Sequence, residues 1–145
     1  MKAVIFDYNR TIYNPEDDKL TAGAKALLDL FHKEGITLFL IAKGDDKRRA
    51  RIQELGLEPY FKKIVVNQNK SADDYANCKK DAQEGTEFFA IGDRVKEEIK
   101  YANENGIITI WFKDGKFSTE EPENDAEKPA FIIKNLSEAA DIILG

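Results

Sequence analysis

The chain has one cysteine, one histidine, one tryptophan and four prolines in 145 residues. A lone Cys78 cannot form an internal disulfide, which suits a reducing cytoplasm. One Cys and one His cannot supply the ligands of a usual zinc site. No apolar run approaches the length of a bilayer span, so no membrane association is expected. Residues 1–7 carry neither a long apolar region nor a small-residue cleavage site, so no signal peptide is read. An excess of basic charge is also missing. The net charge is −5, which argues against a nucleic-acid partner, because neutralising phosphates needs a basic surface. The remaining composition, 42% hydrophobic and 34% charged, is ordinary for a globular chain. Its length fits one domain, residues 1–145.

Apolar runs at 2–6, 37–41, 63–66, 87–91, 107–112 and 130–133 read as strands. Helical patterns fill the gaps. Leu20, Ala24, Leu27, Leu28 and Phe31 recur at helical spacing, and Gly35 can end that helix. A second helix is predicted from Asp45 to Leu55, before Gly56. A third starts at Ser71, where Ser71 and Asp74 resemble a capping box, and it puts Tyr75, Cys78 and Ala82 on one face. A fourth carries Val95, Ile99 and Ala102 and stops at Gly106. The last spans roughly Leu136 to Leu144. Strand and helix alternate throughout, which predicts a parallel sheet covered by helices on both sides. The stretch 113–129 is acidic and rich in turn formers, and reads as a solvated connection.

Chemistry gathers at the strand ends. Val4, Ile5 and Phe6 read as a strand buried on both faces, and it ends in Asp7, with Thr11 four residues on. The second strand ends at Ala42-Lys43-Gly44. Lys70 follows the third, and Gly92-Asp93 closes the fourth, with Glu97 and Glu98 just beyond. A parallel sheet brings these ends to one edge, where open α/β sheets bind ligands. Two carboxylates on adjacent strands repel unless a cation lies between them. Oxygen ligands suggest Mg²⁺, and a nearby lysine can pair with a phosphate or with the carboxylates. Taken singly, Asp7 and Asp93 read equally as turn or helix caps. His32, beside Phe31, reads as a surface or packing residue.

These residues resemble the haloacid dehalogenase-like (HAD) superfamily over nearly the whole chain. Asp7-Tyr8-Asn9-Arg10-Thr11 looks like its DxDxT motif. Gly92-Asp93 through Glu98 looks like its GDxxxxD motif, with Glu98 in the final place. Lys70 matches the family lysine, with Ser71 where Pro often follows. Gly56-Leu57-Glu58-Pro59-Tyr60-Phe61 is similar to a stretch common before the third strand, and Ala102 to Gly106 and Asn135 to Glu138 are similar to other family segments. The resemblance implies a three-layer Rossmann-like, doubly wound parallel sheet of order 3-2-1-4-5 in strand numbering. It implies a phosphatase or phosphotransferase in which Asp7 forms an aspartyl-phosphate, with Asn9, Thr11 and Lys70 as the other catalytic positions. It also implies Mg²⁺ held by Asp7, the Asn9 carbonyl and Asp93, with Glu98 orienting metal-bound water. Arg10, Ala42 and Lys43 fall at substrate-binding positions.

Two departures stand out. The family places a second Asp, its general acid and base, where this chain has Asn9. A neutral amide exchanges no proton at pH 7, and such help is worth about 10²–10⁴-fold in rate. The family's phosphate-binding Ser or Thr is Ala42 here. That loss removes one charge-assisted hydrogen bond, roughly 1.5–3 kcal/mol. Asn9 therefore marks either lost turnover or chemistry suited to a long-lived aspartyl-phosphate or a leaving group needing no proton. Arg10 stands for the common Gly, as a solvent-facing turn residue or as a phosphate or partner contact. Lys43 is a surface charge or a substitute for the missing hydroxyl. Asp7 to Ala42 spans 35 positions (42 − 7) and Ala42 to Lys70 spans 28 (70 − 42), too few for an inserted cap domain. A capless, open site with an accessible Asp7 is expected, suited to a phosphorylated substrate, bulky or macromolecular, or to a partner subunit acting as lid. The alternative on the same scaffold is an inactive binding or regulatory module. A receiver-type phosphoacceptor needs an Asp ending the third strand, and Ile64-Val65-Val66-Asn67-Gln68 supplies none. The sequence leaves the oligomeric state and the substrate's identity unassigned.

Overall fold

The computed structural model describes residues Met1–Gly145. Six parallel strands form one sheet: β1 (Lys2–Asp7), β4 (Thr37–Lys43), β5 (Lys63–Asn67), β6 (Glu87–Gly92), β7 (Ile108–Phe112) and β8 (Phe131–Ile133). Their spatial order is β5-β4-β1-β6-β7-β8. The expected order therefore holds, and the last strand adds at the edge beside β7. Two further strands, β2 (Tyr13–Asn14) and β3 (Lys19–Leu20), make a small hairpin after β1. The helices are α1 (Ala24–Lys33), α2 (Asp46–Glu54), α3 (Ala72–Lys80), α4 (Lys100–Asn103) and α5 (Glu138–Leu144).

Strand alternation divides the core. Val4, Phe6, Leu38, Leu40, Phe89 and Ile91 point to one face, where Leu27 and Phe31 of α1, Ile52 of α2 and Ile143 of α5 cover them. Ala3, Ile5, Phe39, Ile41, Phe88 and Ala90 point to the other. There Tyr75 and Cys78 of α3 and Ala102 of α4 complete the layer. The sheet is thus buried on both sides, which is why its central strands read as unbroken apolar runs. No helix is long and apolar enough to cross a membrane. No cap domain interrupts the connections around β1, β4 and β5.

Several boundaries differ from the sequence reading. Leu20 lies in β3, because Gly23 takes a left-handed conformation (φ 83°) and α1 begins only at Ala24. Ala82 lies beyond the end of α3, which stops at Lys80, although it still packs against the core. The capping box of α3 is present, with the Ser71 amide donating to Asp74 at 3.1 Å. His32 is exposed and meets the Tyr60 ring edge-on at 6.0 Å. The 113–129 segment is more than a solvated connection. It forms two short 3₁₀ turns, Gly115–Phe117 and Asp125–Glu127, and part of it packs over the carboxyl edge of the sheet. Its Glu127 is buried, accepting from the amide of Glu123 at 3.1 Å.

Candidate functional site

Register brings the site together. Asp7 lies opposite Ile41, and Phe6 lies opposite Ile91, so the ends of β1, β4 and β6 come level. The Asp7 carboxylate is held on both oxygens. Lys70 donates to one, and Thr11 donates to the other at 3.2 Å. Thr11 reaches because the turn after β1 folds back, with the amides of Ile12 and Tyr13 both donating to the Tyr8 carbonyl. Arg10 occupies the left-handed region in this turn (φ 61°), a conformation glycine takes without strain.

Asp93 follows β6. Its carbonyl accepts from the Trp111 indole at 2.9 Å, which fixes the chain where it leaves the strand. Beyond it comes a π turn, Val95–Ile99, closed by the Ile99 amide donating five residues back to the Arg94 carbonyl. This turn tucks Glu98 behind the end of β6. A Cβ on Gly92 would stand 2.6 Å from the Glu98 Cβ, so only glycine admits the approach. Asp7, Asp93 and Glu98 are all buried, and one carboxylate oxygen of each lies within 4.8 Å of the others.

Lys70 is the only cation paired with this acid triad. Burial raises the Asp93 carboxyl, the Asp7 charge raises it further, and together they bring it to about 8. Burial, then the charge of Asp7, pushes Glu98 well above the usual carboxylate range. Burial works against the Lys70 ammonium, but Asp7, Glu98 and Asp93 outweigh it and hold its pKa above the ordinary value. One Asp93 oxygen (Oδ2) is buried without a hydrogen-bond partner. An unpartnered carboxylate oxygen among three converging carboxyls is the donor set of a hard divalent cation. Asp7, Asp93 and Glu98 fit such an ion.

The triad opens into a cleft of about 190 Å³, whose walls include Asn9, Arg10, Lys43 and Lys70. The side-chain oxygen of Asn9 is buried and unpartnered. Lys43 is exposed at the end of β4. Ala42 is fully buried and offers the cleft no polar group. The expected accessible Asp7 is corrected here: its side chain is 3% exposed, because Lys70 and Thr11 cover it and only the narrow cleft leads to it.

Sequence reasoning missed the cleft's outer wall. Arg94 donates to Glu97 and, at 3.0 Å, to Glu120. Glu120 also accepts from the Val95 amide at 3.1 Å. The Phe117 ring lies 4.0 Å from the Arg94 guanidinium and 5.6 Å from that of Arg10. Arg10 pairs with Glu16 at 3.1 Å. The clue in the sequence was Phe117 itself, a lone aromatic in a polar loop.

Residues 57–139, more than half of the chain, match the family described as HAD-hydrolase-like. The chain belongs to this family. Among curated proteins it is similar to the glyceraldehyde 3-phosphate phosphatases of two archaea. It is 29% identical to that of Methanocaldococcus jannaschii over 126 residues, 82% of this chain and 54% of the relative. It is 24% identical to that of Methanopyrus kandleri over 103 residues, 67% of this chain and 44% of the relative. The chain thus spans about half the length of the curated relatives it matches. Among solved structures it resembles the HAD-hydrolase YfnB from Bacillus subtilis bound to magnesium, with a TM-score of 0.79, 16% identity and 98% coverage of both chains. It also resembles the D,D-heptose 1,7-bisphosphate phosphatase of B. bronchiseptica complexed with magnesium and phosphate. That match has a TM-score of 0.78 and 12% identity, and covers 99% of this chain and 98% of the other. At such identities the likeness concerns the fold of this HAD-like chain.

Proposed function

We propose that residues 1–145 act as a single HAD-like domain, a Mg²⁺-dependent phosphatase or phosphotransferase working through an aspartyl-phosphate on Asp7. The observation that carries this reading is the buried triad of Asp7, Asp93 and Glu98, with a partnerless Asp93 oxygen and Lys70 bound to Asp7. Asp7, Asp93 and the Asn9 carbonyl would hold the metal, with Glu98 behind them. Bound there, Mg²⁺ supplies positive charge against the phosphoryl oxygens.

Asp7 attacks the phosphorus, and the bond from phosphorus to the leaving oxygen breaks with its electron pair going to that oxygen. The oxygen takes its proton from water, because the Asn9 amide has none to give. Thr11 and Lys70 hold the Asp7 carboxylate in position before attack. Water then attacks the phosphorus, the bond to Asp7 breaks, and phosphate leaves. The attacking water loses its proton to solvent, again because Asn9 cannot accept it. Both steps are therefore slowed, and the missing hydroxyl at Ala42 slows them further. The site is attenuated, and it favours leaving groups that need no proton. The phosphatase names of the two archaeal relatives support the substrate class, a phosphate ester.

Asn9 and Ala42 also favour a second reading, a HAD-like binding module without turnover. The test is hydrolysis of p-nitrophenyl phosphate with Mg²⁺ against an Asp7→Asn control, alongside intact mass after exposure to acetyl phosphate. Turnover above the control, or an added phosphoryl group lost in Asp7→Asn, supports the enzyme. Neither signal in a folded, Mg²⁺-binding protein leaves the binding module.

A further inference from the structure

A second cleft of about 470 Å³ adjoins the first, and Lys43 lines both. Its walls carry Lys43, Lys47, Arg48 and Arg51 against a single carboxylate, Asp45, in a chain whose net charge is −5. Arg51 is committed to Asp18 and Glu54. Asp45 is occupied as the cap of α2, accepting from the Lys47 amide at 3.0 Å. Lys43, Lys47 and Arg48 form no ion pair. The other cations of the active-site cleft are all neutralised: Lys70 by Asp7, Arg10 by Glu16, and Arg94 by Glu97 and Glu120.

Arg48 is held in place by its stem and its plane. Its Nε donates to the Lys43 carbonyl at 3.2 Å, and its guanidinium lies 4.8 Å from the centre of the Tyr8 ring, next to the nucleophile in sequence. Gly44 makes room for it: a Cβ there would stand 2.7 Å from the Arg48 Cβ. A guanidinium fixed this way keeps its outer edge available, and its fork matches a phosphate.

We propose that this basic pocket takes a second phosphate group of the substrate. The preferred substrate then carries two phosphates, one over Asp7 and one among Lys43, Lys47 and Arg48. The inference rests on the phosphatase reading for the first phosphate, whereas the pocket itself is testable without it.

Inorganic phosphate is the first probe, followed by amide chemical shifts. Saturable shifts at residues 43–48 are expected in wild type and in Asp93→Ala, where the metal site is gone. They should vanish in Lys47→Gln/Arg48→Gln. The second probe pair is propane-1,3-diyl bisphosphate and propyl phosphate, compared by calorimetry in Mg²⁺. The charge contacts of exposed Lys47 and half-buried Arg48 predict about a tenfold preference for the bisphosphate, shrinking with salt. The double variant should lose most of that preference while binding the monophosphate as wild type does. Gly44→Ala, which displaces Arg48 without touching charge, should reduce it as well. Equal affinities in wild type, or a preference that survives the double variant, overturn the proposal. If phosphate shifts residues 43–48 but hydrolysis and Mg²⁺ binding are absent, the pocket stands and the phosphatase reading falls.

Discussion

Replacing Asp93 with Asn should make the metal-free protein more stable and its metal response disappear. Asp93 is buried against Asp7 and Glu98, and its carboxyl is raised from 3.8 to about 8. At pH 7 it therefore keeps a proton that it releases on unfolding. Each pKa unit corresponds to about 1.4 kcal/mol, so holding that proton at pH 7 costs a ceiling of about 4 kcal/mol. An amide of the same shape carries no such cost. The penalty is absent below the unfolded value of 3.8, grows as pH rises, and is complete above about 8. Recovering half the ceiling, about 2 kcal/mol, moves the thermal midpoint upward by roughly 6–8 °C for a chain of this length. The assay is thermal melting in EDTA at pH 5, 7 and 8.5, repeated with Mg²⁺. Wild type should gain about 1.4 kcal/mol at a Mg²⁺ concentration ten times its Kd, and Asp93→Asn should gain nothing. A lower melting point for Asp93→Asn than for wild type in EDTA at pH 7 would refute a protonated, destabilising Asp93. Equal responses of the two proteins to Mg²⁺ would refute its place in the metal site.

Restoring the family residues should restore rate. Asn9→Asp should raise Mg²⁺-dependent phosphate-ester hydrolysis by about 10²-fold, the lower end of general-acid effects, with Ala42→Thr adding to it. Steady-state kinetics against Asp7→Ala checks this, and a double variant at the Asp7→Ala level shows that other residues limit the site. Gly92→Ala should cost about 1–3 kcal/mol, because its methyl meets Glu98 at 2.6 Å and the π turn must shift. Denaturant melts measure that cost, and unchanged stability would show that the Glu98 side chain yields freely.

The sequence made the sheet and two of the three acids, Asp7 and Asp93, legible for one physical reason, whereas Glu98 was legible only through its place in the family-like motif. A strand buried on both faces needs an unbroken apolar run, so a carboxylate at its end, like Asp7 after Phe6 or Asp93 after Gly92, stands out. Lys70 was legible by its position before the capping box of Ser71 and Asp74. The outer wall was hidden because its contacts are distant in sequence and polar in character. Glu120 looks like any acidic loop residue until Arg94 and the Val95 amide are seen to meet it. The burial of Asp7 escaped notice for a related reason. Missing cap domains suggest an open cleft, but Thr11 and Lys70 close over the carboxylate from within the fold. Leu20 misled because helical spacing extends backward through a hairpin residue, and only the Gly23 backbone marks the true start of α1.

The π turn after Asp93 has a consequence for how the chain tolerates change in length. A π turn accommodates one residue more than an α turn, and each residue in a helix rotates the face by about 100°. Deleting one residue between Arg94 and Glu97 would let the turn relax to ordinary α geometry. Glu98 and Ile99 both follow the deletion and would shift together, so Glu98 would leave its place behind Gly92 and Ile99 its place beside Val95 and Trp111. An insertion at the same point would rotate Ile99 away from Trp111 and Ala102 away from Ile107. The segment is thus a length-sensitive coupling, in which a change of one residue in either direction moves both the Glu98 carboxylate and the packing around Trp111.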